Sequence, residues 1–324
     1  MSTGNSNFSK AITLTLQNHG KKIFDAVSTN NALYYMLKKR ENIKIVGGGR
    51  SFTHPIFYKQ NTSFKSYSKL ATIDTPLMDD ITRAEYPIKI VAGSLVLSTF
   101  DEATNQSQEE LIKLAEETKM AAEVSMSEVM GDQTFTDGSG ADDFDGLQFL
   151  VHETPAGQTD VGGIDPSASG NSYWQNYSYD TAVTAFNTSQ AGLTAFNTVL
   201  NQTTFGRQGP RLIITTKAIY QLYELGLTPN IRYSTTELGN GDAGFRHLQY
   251  ATIPVVFDDN CPAGNAYFVD TDNLWLQILA KGNMVVTPFE FSHNQLSRTA
   301  LMYVFGNLTT GSRRTNGVVD SITG

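Results

Sequence analysis

Apolar residues recur at spacings of three and four from Ser107 to about Met130. Leu111, Leu114, Ala115, Ala122, Met126 and Val129 fall on one stripe, whereas Glu109, Glu116, Glu117, Lys119, Glu123 and Glu128 fall largely elsewhere. This period predicts one long amphipathic helix whose core side is Leu111, Leu114, Ala115, Met126 and Val129. Ser107 and Glu110 have the spacing of a capping box, and Gly131 is the expected stop. At ~1.5 Å per residue the helix spans ~36 Å, the width of a small domain. No neighbouring segment offers a second helix to pair with it, so it reads as a spine for other elements.

Strand patterns precede the helix. Ile43–Val46, then Gly47-Gly48-Gly49, Phe52–Tyr58, a polar tip from Lys59 to Lys69, and returning segments at Ile88–Val91 and Leu95–Leu97 predict an extended hairpin over residues 42–95. Pro55 cannot donate to a ladder and belongs on an edge. A two-stranded ribbon is marginal in water, so this one requires another surface, from its own chain or a neighbour's. Upstream, residues 1 to about 20 are polar and patternless, an arm that orders only against something else. Ile23, Phe24 and Val27 then share a helical face, and Asn30 is placed to cap a turn carrying Leu33, Tyr34, Met36 and Leu37.

Beyond the spine, residues 152–178 look like loop. A helix is expected through Leu193, Phe196 and Leu200, a strand at Leu212–Ile214, and a helix carrying Ile219, Leu222 and Tyr223 stopped by Gly226. Further strands are expected at Ile253–Phe257, Ala266–Val269, Leu274–Leu279 and Ala300–Phe305, followed by a polar tail from Gly306 to Gly324. The mixture is α+β, and 324 residues suggest two lobes.

Composition narrows the function. Charged residues are 17% of the chain, against about 25% in an ordinary soluble domain. Surfaces poor in charge suit interfaces, whose centres are depleted of Lys, Asp and Glu. A net charge of −8, with Arg313-Arg314 as the only arginine doublet, argues against a dedicated DNA-binding module. Cys261 is the sole cysteine, which excludes an intrachain disulfide and fits a buried apolar filler in a reducing compartment. The first 20 residues lack the basic start and apolar run of a secretory signal, and no stretch reaches the ~18 apolar residues of a membrane span.

The search for chemistry yields little. His19, His54, His152, His247 and His293 are scattered, without metal-ligand spacing to one another or to Cys261. Gly138-Ser139-Gly140 lacks the outer glycines of a nucleophile elbow, and Gly47-Gly48-Gly49-Arg50-Ser51 lacks the Gly-Lys-Ser/Thr ending of a phosphate loop. No catalytic residue and no cofactor site is expected. The acidic loop holding Asp137, Asp142, Asp143 and Asp145 is the one candidate for hard-cation binding, with ordinary solvated carboxylates as its competing reading.

Several phrases in fixed order carry a resemblance. Phe135-Thr136-Asp137-Gly138 is followed by Asp145-Gly146-Leu147, then Val161-Gly162-Gly163-Ile164 ahead of Trp174. Ile253-Pro254-Val255-Val256 leads to Asp258 and Asp259, Ala266–Asp270 forms a strand, and Phe305-Gly306-Asn307-Leu308 leads to Arg313-Arg314 and Gly317-Val318-Val319. In these phrases and in the order of its elements the chain resembles the major capsid proteins of tailed bacteriophages, the HK97-like fold. The resemblance implies an N-terminal arm (1–41), an extended hairpin or E-loop (42–95), a peripheral domain with the spine helix (96–150), an axial domain (151–282) and a C-terminal return to the peripheral domain (283–324).

By the same resemblance, the protein would self-assemble into hexamers and pentamers of an icosahedral shell that encloses double-stranded DNA without sequence-specific binding. Assembly would take place in the bacterial host cytoplasm, and the protein would reside in the virion. A separate scaffolding protein, a portal and decoration proteins are the further partners implied. The hairpin tip, with Lys59, Phe64, Lys65, Tyr67 and Lys69, would touch an adjacent subunit. Some members seal the shell with a Lys–Asn isopeptide bond, for which Lys59, Lys65 or Lys69 with Asn294 or Asn307 are candidate partners; ordinary exposed side chains are the competing reading. An encapsulin-type nanocompartment shell shares the architecture and is the first alternative. A β-rich carbohydrate-binding or hydrolytic protein is the second, and would need paired carboxylates in a cleft.

Overall fold

The computed structural model describes residues 31–73, 75, 79–100, 108–181, 185–227, 248–292 and 295–324, with the side chains of 108–117, 189 and 227 outside that description. The expected helix at Ile23–Val27, the cap at Asn30 and the capping residue Ser107 lie outside the described residues. The first described helix, α1 (Ala32–Lys39), is capped instead by Asn31, whose side chain accepts from the Tyr34 N–H at 3.1 Å. Leu33, Tyr34, Met36 and Leu37 are buried, as their spacing predicts.

The hairpin is shorter than expected, because its two outer segments join a different sheet. Strand β1 (Ile43–Val46) runs parallel to the later strand Leu274–Leu279, with Ile43 opposite Leu276. Only β2 (Ser51–Phe57) and β3 (Ile81–Pro87) pair with each other, from Ser51 opposite Pro87 to Phe57 opposite Ile81. Pro87 has no N–H to extend that ladder. The chain then passes into β4 (Lys89–Ser98), which pairs antiparallel with the last long strand over its whole length. Along β2 burial alternates: Phe52, His54 and Ile56 are buried, Thr53, Pro55 and Phe57 exposed.

The long helix, α2 (Gln108–Gln133), runs three residues past its expected end. Gly131 is therefore no stop signal. A Cβ there would strike the Asn260 side chain and come within 3.0 Å of that of Asn31, so glycine permits close approach of the helix to α1 and a distant loop. A one-turn helix, α3 (Leu147–Leu150), follows the acidic loop. Gly146, which precedes it, has the Thr136 backbone where a side chain would stand.

Two six-stranded sheets organise the rest. The first has the order β1-β10-β13-β11, where β10 is Leu274–Leu279, β11 Val285–Val286 and β13 Ser297–Thr310. Both β4 and β12 (Glu290–Phe291) also pair with β13, at its N-terminal half. Strand β13 can hold this sheet together because it is 14 residues long, with one half paired to β4 and the other to β10.

The second sheet has the order β5-β14-β9-β6-β8-β7. Its strands are β5 (Tyr177–Asp180), β6 (Leu212–Thr215), β7 (Leu248–Tyr250), β8 (Ile253–Phe257), β9 (Ala266–Val269) and β14 (Gly317–Asp320). Helices α4 (Ala191–Thr203) and α5 (Lys217–Leu227) pack on it through Phe196, Val199, Ile219 and Tyr223. Helix α5 passes through Gly226 and ends one residue later.

The expected polar tail is a correction of substance. Gly306–Thr310 continues β13, and Gly317–Asp320 is a fully buried strand between β5 and β9. β5 itself lies in the segment expected to be loop, where Tyr-Ser-Tyr-Asp offers no apolar run to mark it. The sheets also cut across the expected boundaries, since Leu274–Leu279 belongs to the first sheet and the chain's last strand to the second.

Between β13 and β14 the chain buries Arg313 completely. Its guanidinium donates to the Leu150 carbonyl (2.8 Å), the Trp174 carbonyl (3.0 Å), the Asn176 side chain (3.1 Å) and the Gln158 side-chain oxygen. Burial lowers its pKa to about 10, which leaves it cationic at neutral pH. Carbonyl dipoles, rather than a carboxylate, compensate the charge.

Two predictions follow from this packing. Arg313→Lys keeps the charge but cannot reach four acceptors in a fixed fork, and it should destabilise the folded chain by about 3 kcal/mol in urea unfolding; an unchanged midpoint would show that these carbonyls find water instead. The second concerns His54, which stacks on Trp275 at 4.7 Å and meets the Thr309 hydroxyl at 3.0 Å. Burial, reinforced by the Lys44 charge, pushes its pKa down from 6.5 to about 4. The unfolded chain therefore binds the extra proton between those values, and His54 withdraws stability as pH falls below 6.5. By pH 5 the loss should reach about 2 kcal/mol. Asp320, raised to about 6 by burial, works in the opposite direction over pH 4 to 6. Comparing wild type with His54→Gln cancels that contribution: the drop in thermal midpoint from pH 7 to pH 5 should be clearly smaller in the variant, and equal drops would refute the assignment.

Candidate intersubunit surfaces

The residues that looked most like chemistry turn out to be structural. His54 is buried under the hairpin, and His152 accepts the Thr154 N–H at 3.0 Å within a turn; His19, His247 and His293 lie outside the described residues. Cys261 is buried, and burial pushes its thiol pKa up. Among the described residues no group of three metal-ligating side chains converges, and no helix is long and apolar enough to cross a membrane.

The four aspartates of the acidic loop face different partners. Asp137 accepts from the Ser139 N–H at 3.0 Å, which together with the Ser139 hydroxyl holds its pKa below the usual carboxylate range. Asp143 accepts from the Gln133 side chain at 3.0 Å, and Asp142 is exposed. Asp145 is buried, paired with Lys89 at 2.9 Å, and accepts from the Asn307 amide at 2.7 Å. That amide also donates to the Pro87 carbonyl at 2.9 Å. Asn307 is thus consumed inside its own subunit and is no free partner for a lysine at the hairpin tip; Asn294 lies outside the described residues.

What remains without a covering partner is apolar. At the hairpin, Phe64 is 88% and Leu70 95% exposed, and Phe57, Ile73 and Ile81 are also exposed. Lys59, Lys65 and Lys69 are exposed, while Tyr67 is half-buried and donates to the Ser63 carbonyl at 2.8 Å. Lys65 lies 5.5 Å from the Tyr67 ring centroid. The tip therefore carries two large apolar side chains in water beside three lysines.

The first sheet shows the same condition on one face. On β13 the residues alternate, with Ala300, Met302 and Val304 buried toward α2 while Leu301 is 51% exposed on the other side. Register places Leu301 opposite Ser94, Tyr303 opposite Ala92 and Phe305 opposite Ile90, which is 60% exposed. Val96 extends this face, and the Tyr303 and Phe305 rings stack at 4.8 Å. Sequence reasoning missed this surface, although the signal is present: Ala300–Phe305 is apolar on both parities, which a one-sided strand does not require.

Helix α2 contributes a third feature. Met126 is buried as expected, but Val129 is 43% exposed, and the expected core positions Leu111, Leu114 and Ala115 fall where only the backbone is described. Val129 lines a cleft of about 330 Å³ between α2 and β4, with Val91, Leu95, Ala122 and Met302. Val129 faces this cleft rather than a packed neighbour, which leaves it partly in water. Met120 and Val124 are exposed on the same helix.

No family model and no curated protein matches the sequence. The fold does have matches among solved structures. The capsid asymmetric unit of cyanophage A-1(L) superposes with a TM-score of 0.66 at 15% identity, over 86% of this chain and 90% of that one. The capsid of a native GTA particle gives 0.54 at 13% identity, over 88% and 89% of the two chains. The holo-SrpI encapsulin complex from Synechococcus elongatus PCC 7942 also gives 0.54, at 11% identity, over 88% and 87%. The chain has the α+β fold that these shell-forming proteins share.

Proposed function

We propose that this chain is the major capsid protein of a tailed bacteriophage, assembling into the hexamers and pentamers of an icosahedral shell around double-stranded DNA. The observation that carries the reading is the shared fold with the cyanophage A-1(L) capsid over 86% of the chain. The exposed apolar hairpin and sheet face support it, because large contiguous apolar surfaces mark protein contacts and a closed shell covers such surfaces repeatedly. In this reading β2–β3 and the tip form the E-loop, α2 is the spine helix, the first sheet belongs to the peripheral domain, and the second, with α4 and α5, is the axial domain. Lys59, Phe64, Lys65, Tyr67 and Lys69 then reach an adjacent subunit. The protein is structural rather than enzymatic, needs no cofactor, and works with scaffolding, portal and decoration partners. It assembles in the host cytoplasm and resides in the virion. The encapsulin match supports a second reading, a shell with protein cargo; nuclease-protected DNA within native particles separates the two.

The chain expressed alone should give capsomers, shells or tubes by light scattering and negative-stain microscopy. Deleting residues 60–68 should leave a folded subunit that assembles poorly. Leu301→Asp should change subunit stability by less than about 0.5 kcal/mol, since the site is half in water already, yet abolish particles by placing a charge in the covered face. Normal particles from either variant would remove that surface from the contact, and a 35.5 kDa monomer at every concentration of wild type, with scaffold supplied, would overturn the shell reading.

A further inference from the structure

One groove is lined by three arginines drawn from two distant parts of the chain. It measures about 760 Å³ and is lined by Arg40, Arg207 and Arg211, with Asn201, Thr204 and Gln208 among its other exposed side chains. Arg40, at 3.4 Å, and Arg211, at 2.7 Å, share one carboxylate, that of Asp272. Arg207 sits at the tip of a tight turn closed by reciprocal Phe205–Gln208 backbone bonds of 2.8 and 3.1 Å, with Gly206 at φ +63°. The Arg314 guanidinium stacks 3.8 Å over the exposed Phe205 ring at the base of that turn. Neither Arg207 nor Arg314 has a carboxylate partner among the described residues. Among the described residues the three arginines that line the groove are met by one carboxylate, in a chain whose net charge is −8.

The opposite wall is a two-residue turn between β7 and β8 in which both Ala251 (φ 46°) and Thr252 (φ 75°) are left-handed. Such turns ordinarily use Asn-Gly, and a β-branched residue there is strained. We propose that the groove binds the phosphodiester backbone of a nucleic acid duplex, so that this face of the subunit is the one turned toward the enclosed polymer. Guanidinium forks match phosphate oxygens in pairs, and hydroxyl and amide side chains complete such contacts without reading bases. A protein partner fits less well, because the exposed lining side chains are arginine, asparagine, threonine and glutamine apart from Ala251, while Leu200 and Pro254 are half-buried and Ile253 and Pro210 buried. The inference rests on the shell reading for its purpose, while its chemistry stands on the arginines.

The test is fluorescence anisotropy of a short labelled DNA duplex against the soluble full-length chain across a potassium chloride series. Wild type should bind weakly with a log–log salt slope of about −3, and Arg207→Ala should reduce the slope by about one unit and weaken binding several-fold. Arg207→Lys should restore the slope but not the full affinity. Equal binding by wild type and Arg207→Ala/Arg211→Ala would overturn the proposal. So would displacement of the duplex by inorganic phosphate at equal charge concentration, which would mark a single-ion site, or by poly-glutamate more readily than by unlabelled duplex, which would mark an acidic protein segment. The same preparations are imaged for particles. Particles with arginine-independent binding reject the groove alone, whereas arginine-dependent binding without particles keeps the groove and rejects the shell.

Discussion

The contact on which most of the subunit depends is the buried set of Lys89, Asp145 and Asn307. Asp145 binds the Lys89 ammonium through one oxygen and the Asn307 amide through the other, while the Asn307 carbonyl accepts the Asp145 and Leu308 N–H groups at 2.8 and 2.9 Å. One side chain therefore ties the end of the acidic loop to β13, and its amide holds the Pro87 carbonyl, where the hairpin turns into β4. Asp145 and Asn307 are buried, Lys89 is half-buried, and each has a partner within the set. Removing one partner would strand a charge or an amide in a low-dielectric site, which costs more than the pair contributes when whole. The set fixes the point from which hairpin, sheet and loop diverge.

From that point the structure is unequal in how it satisfies itself. The root of the hairpin is covered by its own chain: Tyr86 donates to the Thr310 carbonyl at 3.0 Å, His54 lies on Trp275, and Gly162 accepts the Glu85 N–H at 2.8 Å. At the tip and on the outer face of β4 and β13, Phe64, Leu70, Ile90, Val96 and Leu301 remain exposed. Exposed apolar residues occur over much of the surface, and two groups of them, at the hairpin and on the outer face of β4 and β13, extend from the same anchored root. Rigid anchoring beside uncovered apolar area is what repeated docking to identical neighbours requires, because a ribbon already fixed in direction loses little further freedom on binding.

Much of this was legible in the sequence where one period dominates. The long helix, the strands at Ile253–Phe257, Ala266–Val269 and Leu274–Leu279, and α5 occur as their patterns predict. The phrases that carried the resemblance prove to be folding devices: the Asp258 carboxylate accepts the Leu33 N–H at 3.2 Å, Trp174 donates to the Val161 carbonyl at 2.8 Å, and Asp145-Gly146 and Asn307 form the anchor. What was not legible depends on long-range pairing. β1 looks like a hairpin leg because nothing local distinguishes a strand that pairs with the next strand from one whose Ile43 pairs with Leu276. β5 and β14 lack a marked pattern because each is only four residues long and β5, Tyr-Ser-Tyr-Asp, has no apolar alternation. Gly131 and Val129 were misread for a related reason: a glycine can end a helix or admit a neighbour, and a stripe does not say how far a partner extends along it.

The arginine doublet shows why charge counted along a sequence misleads about surfaces. Arg313 points inward and spends its charge on three segments of its own backbone and side chains, contributing nothing to the exterior. Arg314 is exposed and stacks over Phe205, while Arg40, Arg207 and Arg211, drawn from two distant parts of the sequence, line one groove. A chain can thus be acidic as a whole and cationic at one groove, because net charge sets solubility and long-range repulsion while short-range recognition depends on what the fold places within a Debye length, about 8 Å at physiological salt.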